Sequence, residues 1–342
     1  MSDRNTAVGV GVVGCGYWGP NLIRNFYQLN ASEVVTICDL DEGRLAHLKE
    51  LYPSVETTTD FEKMLTDDRI EAIVVALPVA LHSRMAIAAL QAGKHVLVEK
   101  PMAATAEECE AMIREAESRK LSLMVGHVFE YTPTVRKMKS ILDEGTLGEL
   151  YYVNSQRLNL GLFRNDVNVI WDLAPHDFSI LLHLTGGKMP RAVQATGAAH
   201  INPKTEDVAQ ITLEFDNNLV AFVQVSWLDP KKVRQTVLVG SKRMLVYDDI
   251  EPTEKIWIYD RSVEGPAVID DYSQFPYTYR YGDITIPRVA GGEPLRAEAQ
   301  AFIDSIRSGK PPLTDGHSGL RVVRILEATN ASLAAGGGRI EL

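Results

Sequence analysis

The stretch VVGCGYWGP, residues 12–20, follows the apolar run VGVGV and leads into PNLIRNFYQL, which has helical periodicity. Glycines stand at 14, 16 and 19, with Tyr17 and Trp18 inside the turn. A G-x-G-x-x-G alone says little, because glycine-rich turns are common. Here it follows a strand pattern, opens a helix pattern and begins an alternating unit. In that setting Gly14 permits the tight turn, Gly16 lets backbone approach a pyrophosphate, and Gly19 lets helix pack on strand. Amide donors at the helix N-terminus suit phosphates. Asp39, twenty residues beyond Gly19, ends the next strand pattern, EVVTICD, where an acid can accept from ribose hydroxyls and repel a 2′-phosphate. That favours NAD over NADP, although Arg44 lies within reach of the same edge. The competing reading is a flavodoxin-like sheet whose glycine bend holds no dinucleotide.

Working outward, apolar strand runs alternate with helical segments: EGRLAHLKEL, EAIVVALP, RMAIAALQAG, KHVLVEKP, AEECEAMIREAESRK and LSLMVGHV. This predicts a doubly wound parallel sheet, with strands apolar throughout because both faces are covered. Near residue 128 the pattern changes. After the helix TPTVRKMKSILDEG come alternating strands: YYVNSQRLNLG, VAQITLEFD, LVAFVQVSWL, VRQTVLVGS, KRMLVYDD and EKIWIYD. The reading is a Rossmann domain, 1–128, followed by an α+β domain, 129–342, on a large, mostly antiparallel open sheet. Region 261–290, rich in Tyr, Pro and Asp, reads as loop, and two helices close the chain.

The 342 residues are 45% apolar and 23% charged, with a net charge of -10 and no long run of one sign. That excludes a nucleic-acid binder working by bulk positive charge. Cys15, Cys38 and Cys109 have no metal-ligand spacing, so no metal site is expected and the thiols read as reduced and buried. No apolar stretch reaches the ~18 residues of a membrane span, and the N-terminal run lacks a cleavage site. A cytoplasmic protein is expected, with no membrane partner.

Two further segments carry chemistry. KHVLVEKP, residues 94–101, ends a strand at Glu99, Lys100 and Pro101, which puts Lys100 at cofactor level if the sheet is parallel. Alternatively Lys100 is a solvated lysine in a surface turn. In WDLAPHD, residues 171–177, Asp172 and His176 are four apart and share a helix face. An acid beside an imidazole orients it for proton transfer. The plainer alternative is an N-capping Asp172, with Pro175 in the first turn, and a core-edge His176; His183 reads as structural.

Taken together, GCGYWG with Asp39, ALPVALH ending in His82, GKHVLVEKP, GHVFEYTP, WDLAPHD and PPLTDGHSGLRVVRILEA resemble the Gfo/Idh/MocA (glucose–fructose oxidoreductase / inositol dehydrogenase) family along essentially the whole chain. The resemblance implies an NAD(P)-dependent oxidoreductase acting on ring carbons of sugars, sugar nucleotides or cyclitols. It implies that His176 takes the substrate hydroxyl proton, that Lys100 hydrogen-bonds the reacting oxygen, and that Asp172 holds His176. It implies cofactor contacts at Gly14, Gly16, Tyr17, Trp18, Gly19, Asp39, Arg44, Leu77, Pro78, His82, Glu99 and Lys100. YWGPNLIRNF and RLNLGLFRNDVNVIWDLAPHD are most similar to UDP-N-acetylglucosamine 3-dehydrogenase-like members. There Arg157 and Arg164 suit a pyrophosphate, Asn159 and Asn168 suit hydroxyls and an acetamide, and Tyr131 is a further substrate candidate. A downstream aminotransferase and a homodimer or homotetramer paired through the open sheet are expected with this reading. Inositol or simple-sugar dehydrogenation, and non-catalytic sensing of NAD or sugar, are the alternatives.

Overall fold

The computed structural model describes residues 7–164, 166–265 and 277–342. Its backbone forms two compact units, Met1–Thr132 with Gly292–Glu327, and Pro133–Gly291 with Ala328–Leu342.

The first unit begins β1 (Val8–Val13), α1 (Gly19–Tyr27), β2 (Ser32–Cys38), α2 (Glu42–Leu51), β3 (Glu56–Thr58) and α3 (Phe61–Leu65). It continues β4 (Ala72–Val75), α4 (Val79–Gln91), β5 (His95–Val98), α5 (Ala106–Arg119) and β6 (Leu123–Val125). The sheet runs β3-β2-β1-β4-β5-β6, and every pair is parallel. Order reverses between β1 and β4, which is where open α/β sheets bind ligands beyond the strand ends. All six residues of β1 are buried, as a strand covered on both faces requires.

The second unit contains α6 (Pro133–Asp143), β7 (Leu150–Leu160), α7 (Val169–Leu184), β8 (Ala192–Ala198), β9 (Val208–Glu214) and β10 (Val220–Ser226). Then come β11 (Leu228–Gly240), β12 (Met244–Asp248), β13 (Ile256–Glu264) and β14 (Thr278–Thr285). With the terminal β15 (Ile340–Glu341) they form a nine-stranded sheet, β14-β13-β12-β11-β7-β10-β9-β8-β15. Only β7 and β10 pair in parallel; the other neighbours are antiparallel. Along β7, Val153, Ser155 and Arg157 are buried while Tyr151 and Tyr152 are exposed.

Three local readings change. Region 261–290 is not all loop: β13 extends to Glu264, and β14 pairs with it. Residues 266–276 of that region lie outside the described residues. Helix α7 starts before Asp172; Asn168 is its N-cap, accepting from the Trp171 amide at 3.1 Å, and Pro175 lies inside the helix. Finally, where the sequence suggests one boundary at 128, the chain returns to the first unit at Gly292–Glu327. The cause is apolar. Phe302 and Ile303 of α8 (Pro294–Ser308) are fully buried in the core around β1, with the Phe302 ring 6.3 Å from that of Phe26. The last helix, α9 (Gly316–Ala334), begins in the first unit and ends in the second.

All three cysteines are free and buried. Burial pushes the Cys15 and Cys109 thiols up to about 12 and the Cys38 thiol up to about 11, which makes them inert. Among the described residues no helix is long and apolar enough to cross a membrane, and no His/Cys/Asp/Glu group could hold a metal ion.

Candidate active site

The carboxyl edge of the parallel sheet gathers one set of the expected residues. Gly14 has φ 97, and a Cβ there would lie 2.2 Å from the Ala76 carbonyl oxygen. A Cβ on Gly19 would lie 2.0 Å from the Gly14 carbonyl oxygen. Gly16, by contrast, faces open space. Gly14 and Gly19 are therefore needed by the fold, and Gly16 leaves room for a ligand against the backbone. Helix α1 starts at Gly19 with no side-chain cap, so no side chain competes with an anion at its positive end; Pro20 has no N–H, and the Asn21 and Leu22 amides donate to the Trp18 carbonyl at 3.0 and 3.2 Å. Tyr17 and the partly exposed Trp18 meet edge to face at the mouth of the turn, 5.5 Å between centroids.

Asp39 is tied down. Its Oδ2 accepts from the Cys15 amide at 2.6 Å and its Oδ1 from the Asp41 amide at 2.8 Å. A carboxylate has about four acceptor positions, so each oxygen keeps one for a diol. Arg44, 53% exposed, stands 3.7 Å from Asp39 and 3.4 Å from Asp41. A dinucleotide therefore fits this edge: a turn that a Cβ would obstruct, open space at Gly16, an uncapped helix end and an oriented acid.

Two turns flank that edge. Pro78 is the N-cap residue of α4, and the preceding Leu77 carbonyl lies 2.7 Å from His82 Nε2. His82 Nδ1 lies 2.8 Å from the Pro101 carbonyl. Buried, with its pKa held low by desolvation, His82 braces the β4 turn against the Lys100 turn and presents no ring nitrogen to a cofactor. Glu99 is buried, and desolvation pushes its carboxyl up to about 7, against the pull of Lys100 beside it. The Lys100 amide donates to Glu99 Oε2 at 3.1 Å. Tyr131 is buried in the same unit, its hydroxyl 3.1 Å from Thr314 Oγ1. That makes it a core residue and not the substrate contact expected.

The second unit carries the other set. Asp172 occupies the first turn of α7, where the helix dipole favours an anion, and His176 follows one turn later on the same face. Asp172 Oδ2 accepts from Trp227 Nε1 at 3.1 Å, and its Oδ1 lies 3.6 Å from Arg164 Nη1. Trp227 gave no signal in the sequence: it sits between β10 and β11 and reads as one more apolar strand residue. Its ring is packed by Phe163, centroids 5.5 Å apart.

Of the four polar candidates before α7, two are committed to structure. Arg157 is buried, with Nε 2.7 Å and Nη2 3.3 Å from the carboxylate of buried Asp177, so it is a core ion pair and not an exposed phosphate contact. Asn168 caps α7 and its Nδ2 donates to Glu206 at 3.0 Å and Asn330 at 3.3 Å. Asn159 is half-buried near the end of β7. Arg164 remains half-exposed and beside Asp172.

Residues 8–127 match the family model described as oxidoreductase family, NAD-binding Rossmann fold. Residues 135–246 match the model of the GFO/IDH/MocA C-terminal domain. The scyllo-inositol 2-dehydrogenase (NADP(+)) IolW of Bacillus subtilis is 28% identical, over 95% of this chain and 92% of its own. A UDP-N-acetylglucosamine 3-dehydrogenase of Acidithiobacillus ferrooxidans is 27% identical, over 92% of this chain and 93% of its own. A solved structure of the latter enzyme, GnnA, superposes with TM-score 0.79 at 25% identity, covering 96% of this chain and 98% of that one.

Proposed function

This chain belongs to the Gfo/Idh/MocA oxidoreductases, with an NAD-binding Rossmann domain, and from that premise we propose that it oxidises a ring hydroxyl of a nucleotide-linked amino sugar. The substrate class is a UDP-linked N-acetylhexosamine, the reacting carbon C3, and the product a 3-keto sugar suited to an aminotransferase. One observation carries the reading: Arg164 stands 3.6 Å from Asp172, on the acid that leads the face bearing His176. A guanidinium there suits a diphosphate, and a neutral polyol has no need of it.

In this scheme His176 takes the hydroxyl proton, with Asp172 orienting the imidazole and stabilising its charged form. Lys100 donates a hydrogen bond to the reacting oxygen and stabilises its developing negative charge. NAD bound at the glycine turn supplies the hydride acceptor. Asp39 favours NAD over NADP by receiving the ribose diol where a 2′-phosphate would be repelled.

A second reading, oxidation of free inositol or a simple sugar, is favoured by the burial of Arg157, which leaves one expected phosphate ligand in place of two. The experiment is NADH absorbance with NAD, a ketone trap, and five substrates: UDP-N-acetylglucosamine, UDP-N-acetylgalactosamine, UDP-glucose, free N-acetylglucosamine and myo-inositol. Turnover confined to the UDP-linked amino sugars is the expected result. Turnover of inositol or free sugar alone would move the function to polyol oxidation. Silence with all five, NAD still binding, would favour a sensor.

A further inference from the structure

The segment after β7 is seated on Trp227. The Gly161 amide donates to the Trp227 carbonyl at 2.9 Å, and a Cβ on Gly161 would meet the indole Cδ1 at 2.8 Å. Phe163 covers the ring, and the indole N–H reaches Asp172. This places Arg164 over the acid. Arg164 also forks onto Asp166, Nε to Oδ1 at 2.9 Å and Nη2 to Oδ2 at 2.6 Å. One guanidinium thus serves two carboxylates, Asp166 through the fork and Asp172 through Nη1.

Arg164 is 42% exposed and Asp166 47%, so solvent screens their pair and it holds weakly. A diphosphate offers more charge and more acceptors to the same planar fork than a single carboxylate does. While Arg164 stands 3.6 Å from Asp172 Oδ1, its positive charge offsets that of the carboxylate that is to stabilise His176 once the imidazole holds the proton.

We propose that Arg164 is a positioning residue that latches Asp172 and is drawn off it by an anionic substrate, with Asp166 competing for the same guanidinium. This rests on the nucleotide-sugar reading above and adds what that reading lacks: discrimination expressed in turnover as well as in binding. A neutral sugar leaves the latch in place and reacts slowly. A UDP-linked sugar removes the latch as it binds.

The test compares wild type, R164A and D166N by steady-state kinetics with UDP-N-acetylglucosamine, free N-acetylglucosamine and myo-inositol, together with calorimetric binding of UDP alone. In R164A, KM for the UDP-sugar should rise at least ~10-fold, the size of one lost charge-assisted hydrogen bond. Its kcat for the neutral substrates should rise, because Asp172 is released. D166N should lower KM for the UDP-sugar and tighten UDP. Neutral-substrate kcat that stays level or falls in R164A overturns the latch, and so does a higher KM in D166N, which would make Asp166 a support and not a competitor. If wild type turns over inositol but not the UDP-sugar, the nucleotide-sugar reading fails by itself, and R164A still tests the latch through inositol kcat. If no substrate turns over, UDP binding decides: tighter in D166N and weaker in R164A supports the exchange, and unchanged binding in both overturns it.

Discussion

At the scale of single residues, burial decides which charged groups are available for chemistry. Arg157 and Asp177 form an ion pair with side chains 5% and 2% exposed. R157A should cost about 3–5 kcal/mol, because it strands the carboxylate of Asp177. Denaturant unfolding checks this, and KM for any substrate of the folded variant should change little. The alternation along β7 already held the clue: Val153, Ser155 and Arg157 share one face, and Val153 marks that face as inward. A charge preference for phosphate outweighed the two-residue period in the sequence reading. Glu99 gives a second prediction. Its native carboxyl, pushed from 4.5 up to about 7, binds a proton that the unfolded chain releases. Its contribution to stability is therefore full below about pH 4.5 and is lost as pH rises to about 7. E99Q should gain on wild type across that window by ~3 kcal/mol. Thermal or urea unfolding at pH 5 and pH 8 measures the difference. Equal gaps at both pH values would mean that Glu99 is ionised throughout.

At the scale of elements, caps and edges explain both the successes and the misses. The glycine turn, β1 and Asp39 were legible because each demands a residue type: φ 97 demands glycine, and a strand buried on both faces demands an unbroken apolar run. The start of α7 was not legible. Asp172 and Asn168 are both good N-cap residues, and it is the Asn168 side chain that accepts from the Trp171 amide and starts the helix. N168A should cost about 1–2 kcal/mol, and D172A should show no such capping loss; unfolding of the two variants separates the roles. Strand β14 was missed for a different reason. Every one of its residues is exposed, so it has no inward face to impose alternation and is held by pairing with β13. Of the candidate site, Lys100, Asp172 and His176 stand in motifs that the sequence makes legible. The partner of Asp172, Trp227, was not, because an indole N–H that meets a distant acid leaves no spacing to read.

At the scale of the whole chain, the first unit is assembled from two separate stretches, and its core is incomplete without the later one. Ala299, Phe302 and Ile303 share a cluster with Val10, Val12 and Phe26. Full burial of each large apolar side chain contributes about 1.5–3 kcal/mol. A fragment ending at Thr132 should therefore lack a cooperative thermal transition, and joining it to residues 292–327 through a flexible linker should restore one. A sharp transition for 1–132 alone would show that α8 only decorates the core. This discontinuity also bears on the ancestry and engineering of such chains. A substrate specificity cannot be grafted from one relative to another with a single crossover, because the polypeptide passes between its units at 132, 291 and 327, the last time inside α9. A viable chimera has to match all three junctions, one of them in helical phase, and recombination should tolerate side-chain change around α7 far more readily than exchange of the unit that carries it.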